Sequence, residues 1–313
     1  MTLAAFGAIH LDTLAHAERA ILRDTSTPAR LTTRPGGVAA NVARALARLS
    51  PPCALAGAVG RDSDGDALLA SLRAEGIDVS TVHRSDHPTG RYLALHDPDG
   101  GLAAAVVDGA ITDALRPGDI DIAHPALAEA DLWFIEANLP QPVLGQIAAA
   151  AKHRLLAADA VSIAKAPRLA EVLDRLDILF CNRLEGAALL GQRRAGGPAP
   201  APEDALAIAS ALVALGVGAC LVSDGPAPLA LATAGICMSL AVAPVAVRDV
   251  TGAGDALIAG TLAARARGWD IADAARAGLA AARVTVQAQG AAPATLTWDA
   301  VLGEHAAAAP PTA

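Results

Sequence analysis

The sequence predicts an α/β protein with a central, mostly parallel sheet flanked by helices and a small β lid. Three observations point to this class. Apolar runs of strand length alternate regularly with helical patterns, the arrangement that builds a doubly wound sheet. The chain is 53% hydrophobic but only 2% aromatic, so its interior is to be packed from Ala, Leu and Val around helices. Two segments, Leu11–Pro35 and Arg91–Val107, break the rhythm and are assigned to the lid.

Strand-like runs fall at Leu3–Ile9, Cys53–Val59, Leu132–Glu136, Leu155–Asp159, Ile178–Cys181 and Ala219–Ser223. Between and after them, Asp64–Glu75, Pro140–Ala151, Glu203–Leu215 and Asp255–Arg267 carry helical patterns. The segment Leu11–Pro35 is polar and irregular, whereas Arg91–Val107 reads as two strands about the turn Asp97-Pro98-Asp99-Gly100-Gly101. With these boundaries the chain is one domain over residues 1–305, with lid segments at about 11–35 and 88–108. Gly191–Pro202 is expected to be a flexible surface loop and residues 306–313 a disordered tail.

A chain of 313 residues with net charge −8, whose lysines are Lys152 and Lys165, has no basic stripe for a phosphate backbone. Nucleic acid is therefore not an expected partner. The four cysteines, Cys53, Cys181, Cys220 and Cys237, stand singly in apolar runs and are expected to be reduced core residues. The opening run Leu3–Ile9 has no cationic stretch before it and meets Asp12 soon after, so a cytoplasmic location is expected. Gly225–Val247 is uncharged over a membrane-spanning length, but Pro226, Pro228, Gly235 and Pro244 divide it into strand-sized pieces. No membrane association is expected.

The most informative string is Asp249-Val250-Thr251-Gly252-Ala253-Gly254-Asp255-Ala256, between a strand expected at Ser239–Val247 and a helix expected near Asp255. Glycines at such a turn let the amides of Gly252, Ala253 and Gly254 converge at a helix N-terminus and form an anion hole. Asp255 in the first turn could then accept a hydroxyl proton while the amides hold charge on a transferring phosphoryl group. The same tetrapeptide also reads as a tight turn with an acidic cap. A dinucleotide fingerprint fails at Leu257, and the absence of any Gly-Lys pair excludes a Walker A loop.

Val250 to Ala256 resembles the C-terminal signature of the ribokinase and phosphofructokinase-B family. Pro35-Gly36-Gly37-Val38-Ala39-Ala40-Asn41-Val42-Ala43 resembles its N-terminal signature, more than 200 residues earlier. Asn182-Arg183-Leu184-Glu185 resembles the family's Asn-x-x-Glu motif. The resemblance implies a ribokinase-like fold and an ATP-dependent kinase that uses Mg2+. It implies Asp255 as general base, with Gly252, Ala253 and Gly254 as the anion hole. It places a sugar or nucleoside on Asp12, Gly36, Gly37 and Asn41, and the nucleotide near Asn182, Glu185, Ser223, Gly225 and Thr251. Glu185 would reach Mg2+ through water, and the loop of Asp249 and Thr251 matches the place where family members bind K+.

Within the family, Thr89-Gly90-Arg91-Tyr92-Leu93, Asn138-Leu139-Pro140, the segment Asp159 to Lys165 and Asn182-Arg183-Leu184-Glu185-Gly186 are most similar to pseudouridine kinases. That implies 5'-phosphorylation of pseudouridine, with Lys165 as a further substrate contact. The alternatives are a kinase of a free sugar such as ribose, fructose or ketogluconate, and a non-catalytic sugar-binding regulatory protein. Two departures stand out. His10 occupies the place of a common asparagine, and Ser223-Asp224-Gly225-Pro226-Ala227-Pro228 replaces a glycine-rich turn. Exposed lid strands predict a homodimer.

Overall fold

The computed structural model describes residues 1–49, 51–193 and 204–308. In chain order the first elements are β1 (Leu3–Phe6), β2 (His10–Ala17), β3 (Ala29–Gly36), α1 (Val38–Arg48), β4 (Cys53–Ala56), β5 (Ala58–Gly60) and α2 (Ser63–Ala74). Next come β6 (His83–Ser85), β7 (Gly90–His96), β8 (Leu102–Asp108), α3 (Ala110–Asp113), α4 (Pro125–Ala128), β9 (Leu132–Glu136), α5 (Gln141–Ala151) and β10 (Leu155–Asp159). The C-terminal part contains β11 (Ile178–Asn182), α6 (Arg183–Arg193), α7 (Ala205–Ala214), β12 (Ala219–Ser223), β13 (Leu229–Thr233), β14 (Cys237–Leu240), α8 (Ala253–Ala266), α9 (Ile271–Val286) and α10 (Trp298–Ala308).

The main sheet has 8 strands in the order β14-β13-β12-β11-β10-β9-β1-β4. All neighbours from β12 to β4 are parallel, and β13 and β14 close one edge antiparallel. Strand alternation sends Leu3, Leu132 and Phe134 into a core under α1, α2, α8, α9 and α10. The intervening Phe6, Trp133 and Ile135 enter a second core under α3 to α7. Burial on both faces explains why these strands are apolar from end to end.

The lid is a 4-stranded sheet, β3-β2-β7-β8, in which the central pair β2 and β7 is parallel. It rises from the end of β1, where the chain passes through Gly7 to Ile9 into β2. The irregular segment expected over Leu11–Pro35 is thus mostly two paired strands. Their sequence conceals this because β3 is exposed along most of its length and has no apolar face to display.

Several boundaries differ from expectation. The strand expected over Ser239–Val247 ends at Leu240, since β13 begins at Leu229, its register partner, and supplies no ladder beyond it. Pro244 could not have donated to a ladder in any case. Cys53, Cys181 and Cys220 are buried and free, but Cys237 lies exposed on edge strand β14, outside the core. The tail expected from Ala306 is helical through Ala308 in α10, and 309–313 lie outside the described residues. Of the loop expected over Gly191–Pro202, Gly191 to Arg193 belong to α6, and 194–203 also lie outside the described residues. Among the described residues no helix is long and apolar enough to cross a membrane.

Candidate active site

Parallel strands end on one edge of the sheet, and that edge collects the polar side chains. Glu136 ends β9, Asp159 ends β10, Asn182 ends β11 and Ser223 ends β12. The N-termini of α1 and α8 join them, with Val38, Gly254 and Asp255 lining one cavity with Asp159, Asn182 and Ser223. Gly37 caps α1 with φ 93° and Gly252 caps α8 with φ 78°, a left-handed conformation that favours glycine.

Asp255 lies in the first turn of α8, and its Oδ2 accepts a 3.0 Å hydrogen bond from Asn41 Nδ2. Burial raises its carboxyl to about 7; the Asn41 bond opposes the rise, and the charges of Glu136 and Asp12 add to it. The Oδ1 of Asn41 is buried without a partner, so this amide retains one acceptor for a ligand. In the neighbouring turn Ala253 donates to Val250 O at 3.3 Å, whereas among the described residues no backbone carbonyl accepts from Gly254. The free amide belongs to an exposed residue at the helix start.

A cavity of about 210 Å³ is lined by Asp159, Val161, Asn182, Glu185, Ser223, Gly254 and Asp255. It meets an apolar groove of about 690 Å³ at Ser223, Gly254 and Leu257, whose far wall includes Gly225, Pro226, Val242 and Val250. Of the residues implied for the nucleotide, Asn182, Glu185 and Ser223 line the polar cavity, and Ser223 and Gly225 line the groove. Thr251 lines neither space. Its N–H donates to Asp249 Oδ1 at 2.8 Å, and Asp249 Oδ2 accepts from Gly290 N at 2.9 Å. Burial pushes Asp249 up, but these amides, the Thr251 side chain and Arg34 outweigh it and hold its carboxyl below the usual range.

Glu185 and Asn182 form a reciprocal capping box, Asn182 N to Glu185 Oε2 at 2.8 Å and Glu185 N to Asn182 Oδ1 at 2.9 Å. Burial raises Glu185. Among the described residues no three His, Cys, Asp or Glu side chains converge to hold a metal ion. Hence any cation here takes most of its ligands from phosphate and water.

On the lid side, Gly36 is required because a Cβ there would fall on the Asp12 carboxylate. Burial lifts Asp12 to about 6 against the charges of Arg34 and Arg44. His10 is 7% exposed, its Nε2 has no partner, and burial followed by Lys165 lowers it to about 4. It is therefore a neutral ring at physiological pH, not a variable charge. Lys165 Nζ donates to Asn138 Oδ1, which places it beside β9 and outside the cavity at Asp255.

Sequence reasoning missed Glu136 and Asp159. Glu136 is fully buried, accepts from Ala8 N at 2.5 Å and Asn138 N at 2.7 Å, and is raised to about 7 by burial against those bonds. Asp159 is held well above the usual range by burial and then by Glu185, Asp255 and Glu136. Each is the last residue of an expected strand, and a carboxylate ending an otherwise apolar strand was the available signal. After Asp159 the chain makes a tight turn at Val161, whose φ of 66° is rare for a β-branched residue.

A cavity at the carboxyl ends of the parallel strands, a helix start with a free amide and an adjacent carboxylate lifted by burial fit an ATP-dependent kinase of small hydroxyl-bearing molecules. The chain belongs to the pfkB family of carbohydrate kinases, whose model matches residues 2–298. It is 26% identical over 272 residues to the pseudouridine kinase of Escherichia coli (strain K12), covering 86% of this chain and 85% of that protein. Against the pseudouridine kinase of Arabidopsis thaliana it is 25% identical over 358 residues, covering 95% and 94%. The Arabidopsis thaliana ribokinase complexed with ribose and ATP superposes with a TM-score of 0.84 at 27% identity, covering 97% of this chain and 98% of that one.

Proposed function

We propose that this kinase transfers the γ-phosphoryl group of ATP to the 5'-hydroxyl of pseudouridine, giving pseudouridine 5'-phosphate and ADP. The observation that carries the transfer is Asp255, hydrogen-bonded to Asn41 and lifted to about 7, beside the Gly252–Gly254 turn. Its carboxylate takes the hydroxyl proton as the oxygen attacks phosphorus, while the turn amides receive charge on the transferring group. Asp12, Gly36, Gly37 and Asn41 hold the ribose hydroxyls. Lys165, close enough in charge to affect His10 and Glu136, marks the wall that meets the base.

The donor set fits Mg-ATP. The mutual repulsion of Asp159, Glu185 and Asp255 is what a divalent cation would relieve, and Glu185 would hold it through water. Bound Mg2+ supplies charge neutralisation to the phosphates. The groove at Ser223 and Gly225 takes the adenine nucleoside, and the loop of Asp249 and Thr251 offers carbonyls for K+. The reading carries with it a cytoplasmic location and a homodimer.

A free sugar is the second reading, favoured by the match to the ribose-bound ribokinase. Steady-state turnover with Mg-ATP and pseudouridine, uridine, ribose or fructose, with and without potassium, separates the two. The highest kcat/KM is expected for pseudouridine; a higher value for ribose would replace the nucleoside by the sugar.

A further inference from the structure

Asp12 and Arg34 are register partners in the antiparallel pair β2 and β3, so their side chains leave the same face of the lid. That face meets the site: Asp12 packs against Gly36 just before α1, whose Asn41 bonds Asp255, and the Asp12 charge acts on Asp255. Arg34 reaches beyond Asp12. Its Nη1 lies 3.0 Å from where a Cβ of Gly290 would stand, and its charge acts on Asp249 as well as Asp12. Gly290 and Thr251 are the two residues whose amides Asp249 accepts, and Thr251 leads directly into the anion turn. A single lid guanidinium thus starts beside Asp12 in the strand ladder and ends against the loop that holds the phosphate turn.

The other cation acting on Asp12 is committed elsewhere. Arg44 is paired with Glu75 at 2.9 Å and donates to Pro35 O at 3.2 Å. Among the described residues Arg34 has no carboxylate in ion-pair contact. Its planar fork is free to follow Asp12 and the loop together, which an ammonium could not do.

We propose that Arg34 is a positioning residue for phosphoryl transfer, acting on Asp12 through its charge across the β2–β3 pair and, from its place against the Gly290 and Asp249 loop, keeping the lid in register with the anion turn. The proposal rests on the kinase reading with Asp12 as an acceptor contact and is independent of which acceptor is used. Asp12 is faced by Arg34 from β3, Arg44 from α1, Asp255 from α8 and Tyr92 from β7. Removing Arg34 therefore takes away one of two opposing cations, and the acidic limb contributed by Asp12 moves up.

The test is a double-mutant cycle of Arg34→Gln and Asp12→Asn, read with whichever acceptor the wild-type protein turns over best. Arg34→Gln is expected to lower acceptor kcat/KM on the order of 10- to 100-fold and to move upward the lower-pH break that Asp12 contributes below the Asp255 limb. In the Asp12→Asn background it should add little and move no such break. Arg34→Lys, which keeps the charge but loses the fork, should keep the break and recover only part of the rate. Full additivity, or a break unmoved by Arg34→Gln in a variant with wild-type Tm, overturns the proposal. Preference of the wild-type protein for ribose would overturn the nucleoside reading alone, leaving this cycle intact.

Discussion

At the scale of single residues, the base role proposed for Asp255 ties activity to the neighbours that set its carboxyl. Burial and the charges of Glu136 and Asp12 raise its carboxyl to about 7, and the Asn41 hydrogen bond alone among these neighbours favours the ionised form. A general base acts only when deprotonated, so kcat/KM falls as pH drops through about 7, roughly tenfold per unit below it. Asn41→Leu removes the donor to the carboxylate and should move that limb upward, because the ionised form has lost its partner. Asp255→Asn should lower kcat by about 100- to 10,000-fold while ATP and acceptor still bind. A pH-rate profile from 5 to 9 with calorimetric binding checks both. A wild-type limb near the ordinary aspartate range, or an Asp255→Asn enzyme of near-normal rate, would remove Asp255 from the base role.

At the scale of elements, the start of α8 separates two kinds of glycine. Gly252 has φ 78°, and a Cβ there would collide with Ala291; Gly254 faces open space. Gly252→Ala should cost about 1–2 kcal/mol from the left-handed backbone, more with the displaced 291 loop, and lower both Tm and kcat. Gly254→Ala should keep Tm but raise KM for ATP, since its methyl stands where the phosphate must approach. Equal losses of Tm in the two variants would refute the distinction. This turn was legible because it needs glycine, and β9 to β12 were legible because burial on both faces makes them apolar throughout. The lid strands were not: Arg30, Thr32, Thr33 and Arg34 give β3 no buried face to announce. Ala241 to Val247 alternates like a strand yet finds no partner, which only the register of β13 reveals. Glu136 and Asp159 were visible as strand ends, but their convergence on Asp255 is a property of the sheet order.

At the scale of the whole molecule, parallel strands deliver the carboxylates to one edge and the lid carries Asp12 over them. The lid sheet is covered only in part. Its edge strand β8 is exposed along its entire length, and Leu31 and Val106 are 64% and 63% exposed. Val106 pairs with Leu93 in the ladder, which puts it on the face opposite Asp12 and Tyr92. An apolar face and an unpaired edge on the same strand favour a second copy of the chain. Light scattering at micromolar concentration should therefore give about twice the 31.2 kDa chain mass. Val106→Asp buries a charge in that contact and should shift the protein to the monomer without touching the acceptor face. A wild-type monomer would sink the dimer, and a Val106→Asp dimer would move the interface away from this strand.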